Sequence, residues 1–279
     1  MNELEKMKHV VQKMSNLYAE KWELEKRPLL ENYLQEISKG VSVPVLSVCG
    51  RGTAEVRYTK YLAYYLDHRS LHGVGDAFLK AILKSLQINT AAYDITSCRV
   101  MPEKYLGTFK GRGQHSVACY CDIAVISDQL CLFIEQKLMS GESNHLNSEV
   151  SQLNRYASTI GQNPDFHDKD IYKVYLTPDG TLPHKSKGWI SLTHEQIVEA
   201  GMDMLREQPL SIQAKYNFRS FLMDLIIGPY ERSEDEIRIM SDLAYDLVHG
   251  EINFRKARRL DRIMKRNELL VRLIMEVSI

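Results

Sequence analysis

The sequence has no excess of charge of either sign, since its 279 residues contain 36 Lys and Arg and 36 Asp and Glu. A neutral total excludes a chain that attracts a polyanion over its whole surface. It leaves room for a nucleic-acid partner, but attraction to phosphate must then come from a local basic patch. Internal repeats and the compositions typical of disorder, collagen or coiled coils are also absent.

Cysteine is scarce and irregularly spaced, with five residues at Cys49, Cys98, Cys119, Cys121 and Cys131. An odd, irregular set does not indicate a disulfide framework. No apolar run approaches the ~20 residues that span a bilayer. The first ten residues, MNELEKMKHV, lack the apolar region of a secretory signal. The sequence therefore predicts a cytoplasmic protein with free thiols and no membrane segment.

The apolar fraction of 44% allows a sizeable core, and 279 residues suit one large domain or two small ones. Apolar residues at helical spacing predict helices near both ends of the chain. These predicted helices cover residues 2–38 with a break at Pro28, 53–67, 76–86, 210–227, 233–249 and 254–276. We expect three parts, namely an N-terminal helical segment (1–50), a core (51–208) and a C-terminal helical region (209–279).

The strand signals lie in the middle of the chain. β-rich residues occur at 93–101, and the segments 117–126 and 130–137 are joined so tightly that they predict a β-hairpin. A polar loop is expected at 107–115, and residues 41–53 are expected to be extended or looped. A helix at 146–160, strands at 171–176 and 189–192 and a helix from His194 complete the core. This order predicts an α/β fold with a mixed central sheet flanked by helices.

Three ionisable side chains stand out in the predicted hairpin. Asp122 lies on its first strand, and Glu135 and Lys137 lie two residues apart near the end of its second strand, so they share one face with Gln136 opposite. Such a group suits hydrolysis of a phosphodiester. Carboxylates hold Mg²⁺, the metal lowers the pKa of a bound water, and a lysine offsets the developing negative charge.

A simpler interpretation of the Glu135-x-Lys137 triplet is a solvated ion pair on a surface strand. The flanking residues favour a functional role, because Leu130, Leu132 and Phe133 make the strand too apolar for a surface edge. Burying a charge in such a strand is costly unless the charge is paired or bound to metal.

The pattern of Asp122, twelve intervening residues and Glu135-Gln136-Lys137 resembles the D…(D/E)-x-K signature of the PD-(D/E)XK nuclease superfamily. Two positions depart from it. Cysteine replaces proline before Asp122, and Gln136 stands where one bacterial branch often has asparagine. Neither departure removes a ligand.

Three further segments agree with this resemblance. Residues 152–156 (QLNRY) are similar to the Q-x-x-x-Y motif of many members, in which Gln and Tyr share a helix face. Residues 55–67, followed by HGVGDAFL at 72–79, look like the opening of the bacterial branch. VYLTPDG at 174–180 resembles the strand and turn that follow. The motifs occur in the expected order over residues 53–192.

The resemblance implies a restriction-endonuclease-like fold and metal-dependent hydrolysis of DNA, with Mg²⁺ as cofactor and Mn²⁺ as a substitute. Lys137 would assist the attacking water, and Gln152 would orient the site or the substrate. The metal ligands would be Asp122, Glu135, Glu55 and the main-chain carbonyl of Gln136. A bacterial or phage-related setting is implied, in which defence against foreign DNA is a natural role.

Two other functions stay open. One is a related nuclease that acts on RNA or branched DNA. The other is a nuclease-like scaffold that binds nucleic acid or a partner protein without cleavage, although the intact ligand set favours an enzyme. The long helical ends would support a homodimer or a partner protein.

Other residue groups favour structural roles. Cys119 and Cys121 point two thiols to one strand face, but no second cysteine pair completes a zinc site, so core packing is the better interpretation. Residues 73–77 (GVGDA) lack the pattern of a phosphate loop and predict a turn before a helix. Single histidines near the site in sequence are mostly structural or exposed; they are His72, His115 and His145.

Basic residues concentrate in FRKARRLDRIMKR at 254–266, which contains seven Lys and Arg and a single acidic residue. On a helix these residues are expected to spread over much of the circumference. They favour either contact with a DNA backbone or a solvated face with ion pairs. The loop from Lys110 to His115 carries the same two alternatives.

Overall fold

A computed structural model describes residues 3–40, 42, 44–51, 54–111, 116–138, 150–183, 185–227, 234–250 and 253–277. These residues form, in chain order, α1 (Glu3–Lys21), α2 (Arg27–Ser38), α3 (Val45–Val48), α4 (Glu55–Leu66), α5 (Ala77–Ser85), β1 (Arg99–Lys110), β2 (Ser116–Ile126), β3 (Leu130–Gln136), α6 (Gln152–Gln162), β4 (Asp170–Thr177), β5 (Ile190–Thr193), α7 (His194–Glu207), α8 (Ile212–Ile227), α9 (Glu234–His249), α10 (Phe254–Arg266) and α11 (Glu268–Glu276).

The chain divides into two compact units. One consists of Met1–Val41 and Arg232–Ser278, and the other of Ser42–Glu231, to which Ile279 is assigned. The first unit therefore contains α1, α2 and α9 to α11, and the second contains all five strands with α3 to α8. None of the described helices is long and apolar enough to cross a membrane.

The first unit is helical, with α2 packed on α9 and α11, and α10 packed on α9. The predicted break at Pro28 does not occur, because a π-helical turn at Trp22–Lys26 joins α1 directly to α2. Pro28 lies just after this turn, in the first turn of α2. One helix was predicted over 254–276. In the structure two helices, α10 and α11, meet at the buried residue Asn267.

The second unit is built on a five-stranded sheet in the order β1-β2-β3-β4-β5. The pairs β1–β2 and β2–β3 are antiparallel, whereas β3–β4 and β4–β5 are parallel. Every residue of the central strand β3 is buried. Helices α4 and α6 contact β1 and β2, and α7 contacts β5. The predicted mixed sheet flanked by helices and the predicted hairpin are thus confirmed.

Strand β1 differs from its prediction, since it begins at Arg99 and continues to Lys110 through Pro102 and Gly107. Both residue types usually end a strand. Here β1 is an edge strand, which tolerates proline, and Gly107, with φ of 137°, lies at a register shift against β2. The loop predicted from 107 is therefore strand as far as Lys110, and residues 112–115 lie outside the described part.

Helix α3 was also not anticipated, because residues 41–53 were expected to be extended or looped. The carboxylate of Asp224 on α8 accepts hydrogen bonds from the amides of Leu46 and Ser47, each at 3.0 Å. A contact distant in sequence thus satisfies N–H groups that a short helix leaves free. The expected helix cap Thr53 lies outside the described residues.

Candidate active site

The site lies where β2 and β3 stop pairing. Their ladder runs from Ile126 opposite Cys131 to Ile123 opposite Ile134. Beyond this point the Asp122 carboxylate accepts a hydrogen bond from the Gln136 amide at 2.8 Å. The Asp122 side chain therefore takes over the pairing at the end of β3, while β2 continues to pair with β1. The hydrogen bond to Gln136 brings the Asp122 carboxylate next to Glu135.

Glu135 is 1% exposed and is held through one of its two oxygens. Its Oε1 accepts from Lys137 Nζ at 2.8 Å and from Gln152 Nε2 at 2.9 Å. Its Oε2 is buried and has no hydrogen-bond partner among the described residues. An unsatisfied buried carboxylate oxygen costs on the order of 1–3 kcal/mol or more. This oxygen is therefore available to a ligand that carries positive charge.

Lys137 lies between two carboxylates. Its Nζ is 2.8 Å from Glu135 Oε1 and 3.4 Å from Glu55 Oε1, while its amide donates to Leu176 on β4 at 2.8 Å. Glu55 is in the first turn of α4, and its Oε2 accepts from the Leu138 amide at 2.9 Å. Glu55 therefore holds both the Lys137 side chain and the backbone that follows it.

Helix α6 supplies the remaining contact. Ser151 caps this helix by accepting from the Asn154 amide, and Gln152 is its first residue. Gln152 Nε2 donates to both Glu135 Oε1 and Tyr156 Oη, the latter at 2.7 Å. The structure thus brings together all of the side chains that the sequence suggested for the site: Glu55, Asp122, Glu135, Lys137 and Gln152.

Burial and mutual repulsion strain the carboxyl groups of this cluster. Burial is the main cause that raises the pKa of Glu135 to about 8. The negative charge of Asp122 acts in the same direction, whereas Lys137 opposes the shift. Burial likewise raises the pKa of Asp122 against the opposing effects of Lys137 and the Gln136 hydrogen bond. Burial alone would lower the pKa of Lys137, but the three carboxylates Glu135, Glu55 and Asp122 raise it above its ordinary value. A cation would relieve the repulsion between the acids.

The residues fit a metal ion that keeps much of its own water shell. In the described ranges no group of three or more histidine, cysteine, aspartate or glutamate side chains could hold a metal by itself. Mg²⁺ does not need such a group, since one or two carboxylates with waters and substrate phosphate suffice. The free Oε2 of Glu135 and the adjacent Asp122 carboxylate meet this requirement. Both Glu55 oxygens already accept hydrogen bonds.

Sequence reasoning missed Glu103 of β1, whose charge contributes to the raised pKa of Asp122. Glu103 has a φ of 50°, and its strand was predicted to end two residues earlier. It missed equally that the Gln136 side chain lies 3.5 Å from Thr59 Oγ1 on α4. No sequence motif marks either contact.

The other candidate residues have structural surroundings. His72 is buried, receives a hydrogen bond from the Val74 amide and contacts the Asp67 carbonyl, so it shapes the turn before α5. Cys119 and Cys121 are free thiols buried in the core beneath α6. His115 and His145 lie outside the described residues.

A sequence model described as the PD-(D/E)XK nuclease superfamily matches residues 44–225, which is well over half of the chain and includes the whole side-chain cluster. No curated protein and no solved structure matches the chain. The superfamily consists of nucleases that act on nucleic acid and generally use divalent metal ions. From this match and a mixed sheet flanked by helices, we conclude that the chain belongs to the PD-(D/E)XK nuclease superfamily.

Proposed function

We propose that this nuclease hydrolyses phosphodiester bonds of DNA in a reaction that depends on Mg²⁺, with Mn²⁺ as a substitute. The observation that carries the proposal is the Glu135 carboxylate. One of its oxygens is held by Lys137 and Gln152, while the other is buried without a partner among the described residues. A structural ion pair would satisfy both oxygens, whereas a ligand-binding carboxylate needs one free.

Asp122 and Glu135 are proposed to bind the metal together with the main-chain carbonyl of Gln136, and Glu55 to complete or orient this shell. When bound, the ion would lower the pKa of a water and stabilise charge on the phosphate. Gln152 keeps Oε1 of Glu135 turned towards α6 and so leaves Oε2 for the ligand.

Lys137 is proposed to hold the attacking water. An ammonium group has three N–H donors, and two of them face Glu135 and Glu55. The third has no acceptor among the described residues and is proposed to bind the water or a phosphate oxygen. The Glu135 and Glu55 carboxylates raise the pKa of Lys137, so the protonated amine is proposed to position the water and offset negative charge.

DNA is proposed as the substrate because the motifs resemble a bacterial branch of the superfamily, and defence against foreign DNA in the cytoplasm belongs to the same proposal. Cleavage of RNA or branched DNA is the first alternative. A scaffold that binds without cleavage is the second. The cluster of Asp122, Glu135 and Lys137 favours an enzyme over a scaffold.

A homodimer formed through α1 is a further part of the proposal, since two sites would then cut both strands. Five apolar side chains recur at helical spacing on α1 and are each more than half exposed: Met7 66%, Val10 54%, Val11 64%, Met14 65% and Leu17 56%. An apolar stripe of this kind marks an interaction surface. Lys6, Lys13 and Glu20 flank it at intervals of seven, so an antiparallel second copy centred on Lys13 places Lys6 against Glu20 of the other copy at both ends and the two Lys13 side chains against each other.

The cleavage test incubates the purified chain with plasmid, linear duplex, branched DNA and RNA, in Mg²⁺ or in EDTA. We expect Mg²⁺-dependent cleavage of DNA that falls at least ~100-fold in Lys137→Ala and Asp122→Ala. Lys60→Ala, which changes an exposed lysine of α4, is the matched control and should retain activity. Cleavage that persists in both site variants contradicts the assignment, and failure of the wild type on every substrate favours the scaffold.

The dimer test measures the mass of the chain in solution. We expect a dimer for the wild type and a monomer for Met14→Glu, because a charge within the stripe would be buried unpaired. Gln12→Glu adds the same charge to α1 beside Asn16, with which Gln12 is hydrogen-bonded, and should leave the dimer intact. A monomeric wild type, or equal effects of both changes, contradicts this part of the proposal.

A further inference from the structure

Helix α10 carries a strongly basic face. At 100° per residue, six basic positions fall within an arc of about 120° of the helix: Arg255, Arg258, Arg259, Arg262, Lys265 and Arg266. All six side chains are exposed, whereas Ala257 and Leu260 on the other side are buried. Only Lys256 lies outside the arc, so the basic residues are more concentrated than the sequence suggested.

Most of this charge is not neutralised by acidic side chains in the described part of the chain. Arg266 pairs with Glu236, Lys256 pairs with Asp246 at 2.5 Å, and Asp261, the acidic residue of the helix, pairs with Lys26 at 2.9 Å. No acidic partner within ion-pair distance is found among the described residues for the other five basic side chains: Arg255, Arg258, Arg259, Arg262 and Lys265. We call these five residues the basic face.

The spacing within the basic face destabilises the isolated helix. Arg255 and Arg259 are four residues apart, as are Arg258 and Arg262, and like charges at this spacing cost ~0.2–0.5 kcal/mol per pair. Arg262 and Lys265 add a repulsive pair at a spacing of three. A solvated helix face avoids such repulsion by placing opposite charges at these spacings, as α9 does with Asp235 and Arg238. An anionic ligand would reduce the repulsion within the basic face of α10.

A cavity of about 460 Å³ lies between α9 and α10 at the border of this face. It is lined by Arg259, Arg262 and Arg266 together with Glu236 and two isoleucines, Ile239 and Ile263. Guanidinium groups bind phosphate oxygens through paired N–H donors. The cavity thus offers two isoleucines to a sugar and the guanidinium groups of Arg259 and Arg262 to the phosphate attached to it, while Arg266 is paired with Glu236.

We propose that the basic face and the adjoining cavity bind the phosphodiester backbone of nucleic acid, at a site separate in sequence from the cleavage residues. Nucleic acid is chosen as the anion on the strength of the proposed nuclease function. Because arginines that contact phosphates do not read bases, this surface contributes affinity without sequence preference.

The test compares two full-length variants with equal charge changes. One neutralises the basic face with Arg255→Gln, Arg258→Gln, Arg259→Gln and Arg262→Gln, and glutamine has a helix propensity close to that of arginine. The control carries Lys8→Gln, Lys60→Gln, Lys80→Gln and Lys84→Gln at exposed positions elsewhere. Binding to a fluorescent DNA duplex is measured in EDTA over a range of salt concentrations, and circular dichroism checks that helix content is retained.

We expect the basic-face variant to bind duplex at least ~10-fold more weakly than the wild type, and its slope of log affinity against log salt to fall by up to ~4. The control should change neither. Unchanged affinity and slope, or equal effects of both variants, would overturn the proposal. If the wild type binds anionic lipid vesicles as tightly as it binds duplex, and duplex binding does not depend on the basic face, the surface would be assigned to membranes instead.

A separate cleavage assay distinguishes this proposal from the nuclease proposal. If the wild type cleaves DNA but duplex binding is unchanged in the basic-face variant, the nuclease function stands and the proposed role of the basic face is wrong. If duplex binding depends on the face while no substrate is cleaved, the surface stands and the nuclease function fails.

Discussion

Glu135 shows how a single residue acquires a site from its neighbours. Its two oxygens have different surroundings, since Oε1 is held by Lys137 and Gln152 and Oε2 is without a partner in the described part of the chain. Gln152 in turn contacts Tyr156. The orientation of the carboxylate thus depends on a chain of contacts that begins on α6.

Gln152→Ala is expected to weaken metal binding without abolishing cleavage. The loss of an outer contact to a metal ligand typically costs 10–100-fold in metal affinity. We therefore expect the Mg²⁺ concentration for half-maximal cleavage to rise about tenfold, while activity at saturating Mg²⁺ falls less. Gln162→Ala, at the exposed far end of α6, is the control. Equal Mg²⁺ requirements in the two variants would show that Gln152 does not position Glu135.

At the scale of elements, packing against a neighbour decides what a residue contributes. Gly201 of α7 lies so close to α8 that an added Cβ would be 2.8 Å from Leu222 and 3.1 Å from Phe218. Gly161 of α6 has open space at the same position. Helix propensity by itself would favour alanine at both sites.

Opposite outcomes are therefore expected for two identical substitutions. Gly201→Ala should lower the free energy of unfolding by about 1–3 kcal/mol, because the methyl group overpacks the contact between α7 and α8. Gly161→Ala should raise it by up to ~1 kcal/mol through the loss of flexibility in the unfolded chain. Urea denaturation measures both. A stabilising Gly201→Ala would mean that α7 and α8 are less closely packed than these distances indicate.

At the scale of the whole molecule, the chain forms two compact units, and the cleavage cluster lies entirely within Ser42–Glu231. These two units are defined by the contacts between residues. The division by role, into residues 1–50, 51–208 and 209–279, stays a proposal. The basic face and the α1 stripe both belong to the unit formed by Met1–Val41 and Arg232–Ser278, which we propose contributes binding and assembly.

His194 should contribute a loss of folding stability in mild acid, whereas the raised pKa of Glu135 contributes in the opposite direction. Burial lowers the pKa of this histidine to about 4, although a hydrogen bond from its Nδ1 to the Leu225 carbonyl opposes the shift. Its side chain lies near the ring of Tyr58 and the carbonyl of Leu225. Between the unfolded value of 6.5 and about 4, the unfolded state binds the additional proton, so the contribution of His194 to folding stability rises with pH in this window.

We expect a loss of up to ~3 kcal/mol from His194 as pH falls through that window, at ~1.4 kcal/mol per pH unit. His72, whose pKa is also lowered by burial, acts in the same direction. Thermal unfolding of the wild type and His194→Gln at several pH values measures the effect, and the stability of the wild type relative to the variant should decrease as pH falls from 6.5 to about 4. His167→Gln, at an exposed position, should follow the wild type. Parallel curves for all three chains would contradict this role.

The sequence determined which residues can carry the chemistry and most of the elements that hold them. The hairpin of β2 and β3, a helix that covers most of α6 and the strands β4 and β5 follow from local apolar periodicity and turn residues. The prediction for the helix, 146–160, began earlier than the observed start at Gln152, and the parallel pairing of β4 and β5 came only from the structure. So does the placement of Glu135 and Lys137 on one strand face, because side chains alternate along a strand.

Tertiary structure alone decided the rest, because the energies involved come from contacts distant in sequence. Pro102 and Gly107 are kept in β1 by its position at the sheet edge, and α3 forms because Asp224 accepts its amides. The same holds for the site. A motif can name Glu55, Glu135 and Gln152, but only the folded chain shows that Glu55 holds Lys137 while Gln152 leaves one oxygen of Glu135 free.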